Sequence, residues 1–383
     1  MTKYILAINA GSATLKVKIF NTNLQELGRA QLERVGLTNS FLDYYWGRKS
    51  PRIHFSAGIK NHQRALKEII KLMPERLYRH IKLVGHRVVH GGEDFMEATP
   101  LNKRIIAQIG RYNDFAPLHN PINLKTAEAA MTEFPQARHW AIFDTQYFKD
   151  LKEEIYLYAI PLKYYQHYGI RKYGFHGLSH EYMYQQAVKR FGRKNLNLIT
   201  CHLGNGVSIT AVKNGQVVDT SMGLTPLSGA IMGSRSGDLD PFIPLFLMQN
   251  QKLSIAEVQQ ELNFSSGLKG LCGASDLRDV LTMAGLKIPG HRHMVKTNSR
   301  KKELAKLAIK SYLYHIERYV GSYAGLIGRL DAVVFSGGVG YNLKEFRQSI
   351  MGAIFFIGRP KVLVIKANEE LIMAQKLIKT AWI

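Results

Sequence analysis

The sequence predicts an α/β protein made of two similar halves, and three repeated features carry that reading. A buried strand, a polar turn and an alternating return strand occur twice. Each occurrence is followed by an amphipathic helix and a further apolar strand. Each half then closes on an apolar run that reaches an acid.

In the first half Tyr4 to Ile8 is a buried strand, Ala10 to Ala13 a tight turn, and Leu15, Val17 and Ile19 alternate with Thr14, Lys16 and Lys18. Leu66, Ile69, Ile70 and Met73 share a helical face that Pro74 should end, and the strand of IKLVGHRVVHGG comes next. WAIFDT then reaches Asp144. In the second half Leu196 to Leu203 is the strand, GNG the turn and Val207 to Val212 the return, with Asn214-Gly215 turning the chain into Gln216 to Thr220. Leu304, Leu307, Ala308, Ser311, His315 and Tyr319 set the matching helix, LDAVVFSGGVG the strand, and VLVIKANEE reaches Glu369.

This pattern places the boundary just after Asp144. One domain takes residues 1–145 and, through return of the last strand and helix, a piece from about 369 to 383; the other takes 146–368. Facing halves would gather their polar turns around one cleft, where ligands of open α/β sheets bind.

Composition narrows the classes. The chain has 383 residues, 46% of them hydrophobic, enough for more than one core at roughly 150 residues per domain. No apolar run approaches the roughly 18 residues that cross a bilayer, and MTKYILAINAGS lacks the h-region and cleavage site of a signal peptide. Cys201 and Cys272 are far apart and show no CxxC spacing, so two buried thiols are expected, and neither a disulfide framework nor a zinc site. The formal charge of +23 favours anionic ligands at low salt. Its densest stretch, His291 to Lys310, holds Arg292, Lys296, Arg300, Lys301, Lys302, Lys306 and Lys310, with few aromatics to stack on bases. A solvated helical face is the expectation, and nucleic-acid or membrane-surface contact is not favoured.

Phosphate chemistry follows from glycine turns after buried strands, at Ala10–Ala13, Gly204–Gly206 and Gly337–Gly340, where backbone N–H groups can approach an oxyanion. There is no GxxxxGK[ST] run and no strict GxGxxG, so the cradle is neither a P-loop nor a dinucleotide turn. Arg87 in GHRVVHGG and Arg235 in GSRSGD sit among small residues, where a cation could meet a polyanion; a structural ion pair is the alternative for each. His176 in YGFHGLSH could donate to a phosphoryl oxygen or simply pack. His119 in PLHNP could position substrate or fix a turn.

The segments INAGSATLK, VGHRVVHGG, APLHNP, IFDT, YGFHGLSH, HLGNGVSI, DTSMGLTPLSG, MGSRSGDLDP, SGLKGLCGASDLR, FSGGVGYN and NEELIMAQK, in this order, resemble the acetate kinases of the acetate kinase, sugar kinase and actin superfamily nearly end to end. The resemblance implies two RNase H-like (actin-like ATPase) domains with a duplicated βββαβαβα core and an interdomain active-site cleft. It implies reversible phosphoryl transfer from ATP to acetate, giving acetyl phosphate and ADP. Arg87 and Arg235 would bind carboxylate and phosphoryl group, His176 would stabilise the transition state, and His119 would position substrate or phosphate. Asp144 takes the catalytic aspartate position, read as orienting and metal-organising because acetate, titrating at about 4, needs no base.

The same resemblance places Mg2+, or Mn2+, near Asn9 and Glu369; an Asx-turn and a helix N-terminal charge are the alternatives. Lys16 matches a substrate-binding lysine, and Val89, Leu118, Phe175 and Pro226 match an apolar pocket for the acetate methyl. Ser12 and His202, Leu203, Gly204, Asn205 and Gly206 would bind nucleotide phosphate. Asp276, Leu277 and Arg278 would hold the adenosine, with Gly338, Val339, Gly340, Tyr341 and Asn342 on the adenine side. The resemblance also implies a cytoplasmic homodimer formed through the second domain. A propionate or butyrate kinase and a catalytically weak nucleotide-binding paralogue are the rival readings. Departures from the family pattern fall at Ala13, Thr14, Phe148, Leu178, Ser228 and Tyr341.

Overall fold

Alternation and unbroken apolar runs resolve into two sheets in a computed structural model that describes residues 3–47, 52–286, 288 and 297–381. Contacts divide the chain into two units, residues 1–149 with 368–383, and residues 150–367.

The first unit carries β1 (Tyr4–Ala10), β2 (Thr14–Asn21), β3 (Glu26–Glu33), β4 (Ser40–Tyr45), β5 (Ile53–Phe55), β6 (Ile81–Val88), β7 (Thr99–Pro100) and β8 (Arg138–Phe143) in the order β5-β4-β3-β2-β1-β6-β8-β7. β1 pairs antiparallel with β2 and parallel with β6, which pairs parallel with β8. Leu15, Val17 and Ile19 are buried while the alternating Thr14, Lys16 and Lys18 are half-exposed, as period-2 alternation requires. β1 and β6 sit between strands and under helices, so both are buried almost throughout. Helix His62–Lys71 is capped by Asn61, whose side chain accepts from the Arg64 N–H at 2.9 Å, and buries Leu66 and Ile69.

The second unit repeats the pattern with β9 (Leu198–Leu203), β10 (Val207–Lys213), β11 (Gln216–Thr220), β12 (Ala332–Ser336) and β13 (Lys361–Val364), ordered β11-β10-β9-β12-β13. Again the first three strands are antiparallel and the last two join in parallel. The hairpin between β10 and β11 turns on Asn214 and Gly215, at φ 52° and 80°, the left-handed pair that a two-residue turn demands. Five strands of the first sheet, β3-β2-β1-β6-β8, therefore share the topology of the whole second sheet, the duplicated core of the actin-like ATPase fold.

Three expectations are corrected. The last strand, β13, stays in the second sheet beside β12, and only helix Glu369–Ala381 returns to the first, packing on β1 and β6. Gly85 permits that approach, because a Cβ there would lie 2.8 Å from Leu377 Cδ1. On the long helix Ser299–Ile327 the buried stripe is Ala305, Ala308, Tyr312, Ile316, Val320 and Tyr323, while Leu304 and Leu307 are exposed. The stripe follows the small and aromatic residues that fit against neighbours, one position away from the leucines. The third glycine turn is a short helix, Gly337–Asn342, opened by Gly337 at φ 77° with its Cα against the Leu203 backbone.

Arg300, Lys301 and Lys302 are exposed on the long helix, whereas His291, Arg292 and Lys296 lie outside the described residues. Both cysteines are free and buried. Among the described residues no helix is long and apolar enough to cross a membrane.

Candidate active site

In the first unit the candidate side chains Asn9, Arg87, Asp144 and Glu369 hang on the C-terminal ends of β1, β6 and β8 and on the start of the last helix. Arg87, at the end of β6, grips Asp144, just past β8, with Nε at 3.1 and 3.2 Å and Nη2 at 2.6 Å from the carboxylate. Its Nη1 donates to Asn9 Oδ1 at 3.0 Å and lies 3.8 Å from Glu369. The Asn9 amide nitrogen then donates to Glu369 at 2.7 Å and to Glu370 at 2.9 Å. Lys18 completes the chain, 3.2 Å from Glu370 and donating to Asn368 at 2.6 Å. Burial alone would lower the Arg87 pKa, but Asp144 and Glu369, with Glu370 behind them, overcome it and hold the guanidinium above its usual value.

Lys16 faces Asn9 across the β1–β2 ladder and is half-buried; Ser12 is exposed in the turn between those strands. Val89 is buried and Leu118 half-buried. His119 precedes helix Asn120–Glu133. Asn123 of that helix ties β1 to the residue after β6, donating to the Ala10 carbonyl at 2.7 Å and accepting from the Val89 N–H at 3.2 Å.

The first unit offers oxygen donors and few of them, which suits a hard divalent cation that keeps its waters. Glu369 and Asp144 present carboxylates. Asn9 has its amide engaged at both ends, so it positions Glu369 against Arg87. Glu369 also opens the last helix, where an acid complements the helix dipole. Among the described residues no group of three or more His, Cys, Asp or Glu side chains converges as a site for a metal.

The second unit gathers its candidates around the turn between β9 and β10. A Cβ on Gly206 would lie 3.0 Å from His176 Cε1, 3.2 Å from its Nε2 and 3.8 Å from Arg235 Nη1, so both side chains approach the turn and a side chain there would crowd His176. His176, in the left-handed region at φ 57°, stacks on His202 with ring centroids 4.4 Å apart. Its Nδ1 is 2.8 Å from Ser208 Oγ. Arg235 donates to the Pro226 carbonyl at 3.2 Å and touches the Met232 sulfur at 3.8 Å; burial pushes its pKa down to about 10. Phe175 and Pro226 are buried.

Close packing links the remaining candidates to the same turn. A Cβ on Gly233 would meet Asn205 Oδ1 at 2.4 Å and the Ser275 carbonyl at 2.6 Å, which brings the turn beside Asp276. Asp276 caps helix Leu277–Met283 through the Arg278 N–H at 2.9 Å and accepts the Arg278 guanidinium at 2.5 Å. Gly337 and Gly340 adjoin Leu203, and Arg347 holds the carbonyls of Gly340 and Tyr341 at 2.9 and 3.0 Å. Asn342 turns back onto the Gly338 carbonyl, and Tyr341 is exposed.

The description "Acetokinase family" fits residues 4–370. The chain is 37% identical to an acetate kinase of Halothermothrix orenii over 97% of its own length and 98% of the relative's. It is 38% identical to one of Thermotoga maritima over 97% of each. The chain belongs to the acetokinase family. Among solved structures, a propionate kinase from Francisella tularensis superposes with a TM-score of 0.86 at 33% identity, covering 98% of both chains. The acetate kinase of Porphyromonas gingivalis gives 0.82 at 33% identity, covering 99% of this chain and 100% of its own.

Within the acetokinase pattern the departures are accommodated locally. Leu178 and Phe148 are buried core residues. Ser228 accepts the Gly223 N–H at 2.7 Å, and the Ala13 carbonyl receives the Val35 N–H at 2.9 Å. Sequence reasoning passed over Glu370, Lys18, Asn123, Ser208 and His180. For His180 a signal existed, since it stands one helical turn after His176.

Proposed function

We propose that this acetokinase transfers the γ-phosphoryl group of ATP to the carboxylate of acetate, reversibly, giving acetyl phosphate and ADP. The observation that carries the reading is the approach of both His176 and Arg235 to the Gly206 turn, a donor and a cation at a glycine turn with the end-to-end family pattern around it. Acetate is ionised near neutrality, so it attacks without losing a proton. The obstacle is charge, because an anion approaches a polyanion, and the protein answers with cations and donors at the transferring group.

Arg87 and Lys16 hold the acetate carboxylate, and Val89, Leu118, Phe175 and Pro226 exclude water from its methyl. Arg235 and His176 donate to the oxygens of the phosphoryl group. Asp144, gripped by Arg87 through both oxygens, orients that guanidinium and does not act as a base. His119 positions the substrate. The turn of His202–Gly206 with Ser12 takes the nucleotide phosphates, and Asp276–Arg278 and Gly338–Asn342 take the nucleoside. Glu369, aligned by Asn9, and Asp144, aligned by Arg87, would hold Mg2+ or Mn2+, which when bound neutralises phosphate charge.

A cytoplasmic homodimer joined through the second unit completes the proposal. Helix Phe242–Asn250 supports it: Phe242, Leu245 and Phe246 are exposed and the helix buries no residue within its own unit.

Propionate is the second substrate to consider, because a propionate kinase is among the well-superposed relatives. One methylene is worth only about 1–3 kcal/mol in such a pocket. Comparing kcat/KM across acetate, propionate and butyrate with Mg-ATP, by hydroxamate detection of the acyl phosphate, tests the proposal. Acetate should give the highest value; a clear preference for a longer acid would reassign the substrate.

A further inference from the structure

A buried chain of hydrogen bonds leads away from His176 into the second unit. His176 Nδ1 lies 2.8 Å from Ser208 Oγ; the same hydroxyl is 2.7 Å from His180 Nε2, and His180 Nδ1 is 2.7 Å from Thr200 Oγ1. Thr200 reaches the Thr210 carbonyl at 3.5 Å. Ser208, His180 and Thr200 are wholly buried. None of the three has a role in the site proposed above.

We infer that Ser208 and His180 are positioning residues, a proton-ordered relay that holds His176 with its Nδ1 proton donated inward and its Nε2 turned to the Gly206 turn. The inference rests on the reading of His176 as a donor to the phosphoryl group.

The order of protons follows from the end of the chain. In the order inferred, the Thr200 hydroxyl donates to the Thr210 carbonyl, which only accepts, and accepts from His180 Nδ1–H. His180 Nε2 is then a lone pair that accepts the Ser208 proton, and Ser208 accepts in turn from His176 Nδ1–H. A ring whose Nδ1 already carries a proton can donate from Nε2 only as imidazolium. That form suits a partner bearing the charge of a transferring phosphoryl group. Two neighbours oppose it: His202 stacks on the ring, and Arg235 approaches the same Gly206 position. His202 Nδ1 is itself 2.7 Å from Ser179 Oγ on the helix that carries His180. The relay supplies an acceptor for the Nδ1 proton and so offsets these neighbours.

The test uses full-length enzyme in four forms, wild type, Ser208→Ala, Ser208→Thr and His176→Asn, with Tm recorded for each. In 15N-histidine-labelled wild type, the resonances absent from His176→Asn should show a protonated Nδ1. In Ser208→Ala, kcat should fall about 10- to 100-fold with KM for acetate and ATP nearly unchanged. Its alkaline limb should move down by about one pH unit, and Ser208→Thr should restore most of both. An unprotonated Nδ1 in the wild type, or a loss of kcat in Ser208→Ala with an unmoved pH profile, would overturn the relay while leaving His176 its role. Full kcat in His176→Asn would remove that role and the relay together.

Discussion

The two arginines proposed for the reaction, one in each unit, are built in opposite ways. Arg87 is gripped by Asp144, faces Glu369 and donates to Asn9, so neighbouring acids keep it charged despite burial. Arg235 donates to a carbonyl and a thioether, and burial pushes its pKa down to about 10. The first cation is a keystone of the fold as well as the proposed ligand for the carboxylate. The second is a cation whose burial disfavours the charged form, a charge kept at a cost in stability.

The largest expected difference is between Arg87→Ala and Arg235→Met. Removing Arg87 takes the guanidinium away from Asp144 and Glu369 and should cost about 3–5 kcal/mol in urea unfolding, together with activity. Arg235→Met should lose about 100- to 1,000-fold in kcat with Tm unchanged or raised. Equal destabilisation of the two would break the comparison. Asp144→Asn sharpens it: an acceptor remains but the charge is gone, so stability should fall by about 1.5–3 kcal/mol, measured in the same unfolding assay.

His86, next to Arg87 on β6, shows how the interior treats a titratable group that lacks an acid. Its Nε2 lies 3.0 Å from His139 Nδ1, and the His139 ring reaches the Phe134 carbonyl at 3.1 Å. Burial lowers both pKa values, and for His86 the neighbouring His139 adds to the effect. The folded state thus holds both rings neutral while the unfolded chain takes up protons below about 6.5. Stability should be full above that pH and fall by up to about 1.4 kcal/mol per pH unit per histidine as pH drops below it. His86→Phe should flatten the slope, and an unchanged slope would count against the pair.

The smallest effect is expected from Glu370→Gln. Its amide oxygen still accepts from Asn9, and Lys18 keeps Asn368 at 2.6 Å, so stability should change by about 1 kcal/mol. Activity should persist, whereas Glu369→Gln should raise the Mg2+ concentration needed for half-maximal rate.

The repeated topology was legible because it rests on local signals: alternation on β2, unbroken apolar runs at β1 and β12, and Asn214-Gly215 between β10 and β11. Where packing against neighbours decides, the sequence misled. Leu304 and Leu307 are exposed while Ala305 and Tyr312 face the core, because contact with neighbouring elements, not hydrophobicity alone, sets the buried stripe. The polar partners were hidden for another reason. Asn9 meets Glu370 from 361 residues away, and Ser208 reaches His180 from 28 away, separations over which no periodicity carries information.

The most direct test of the account is acetyl phosphate formation from Mg-ATP and acetate, measured side by side in wild type and folded Arg235→Met. The account predicts steady hydroxamate product from the wild type and, from a variant of undiminished Tm, a rate lower by at least about 100-fold. Equal rates in the two proteins, or no acyl phosphate from either, would contradict it.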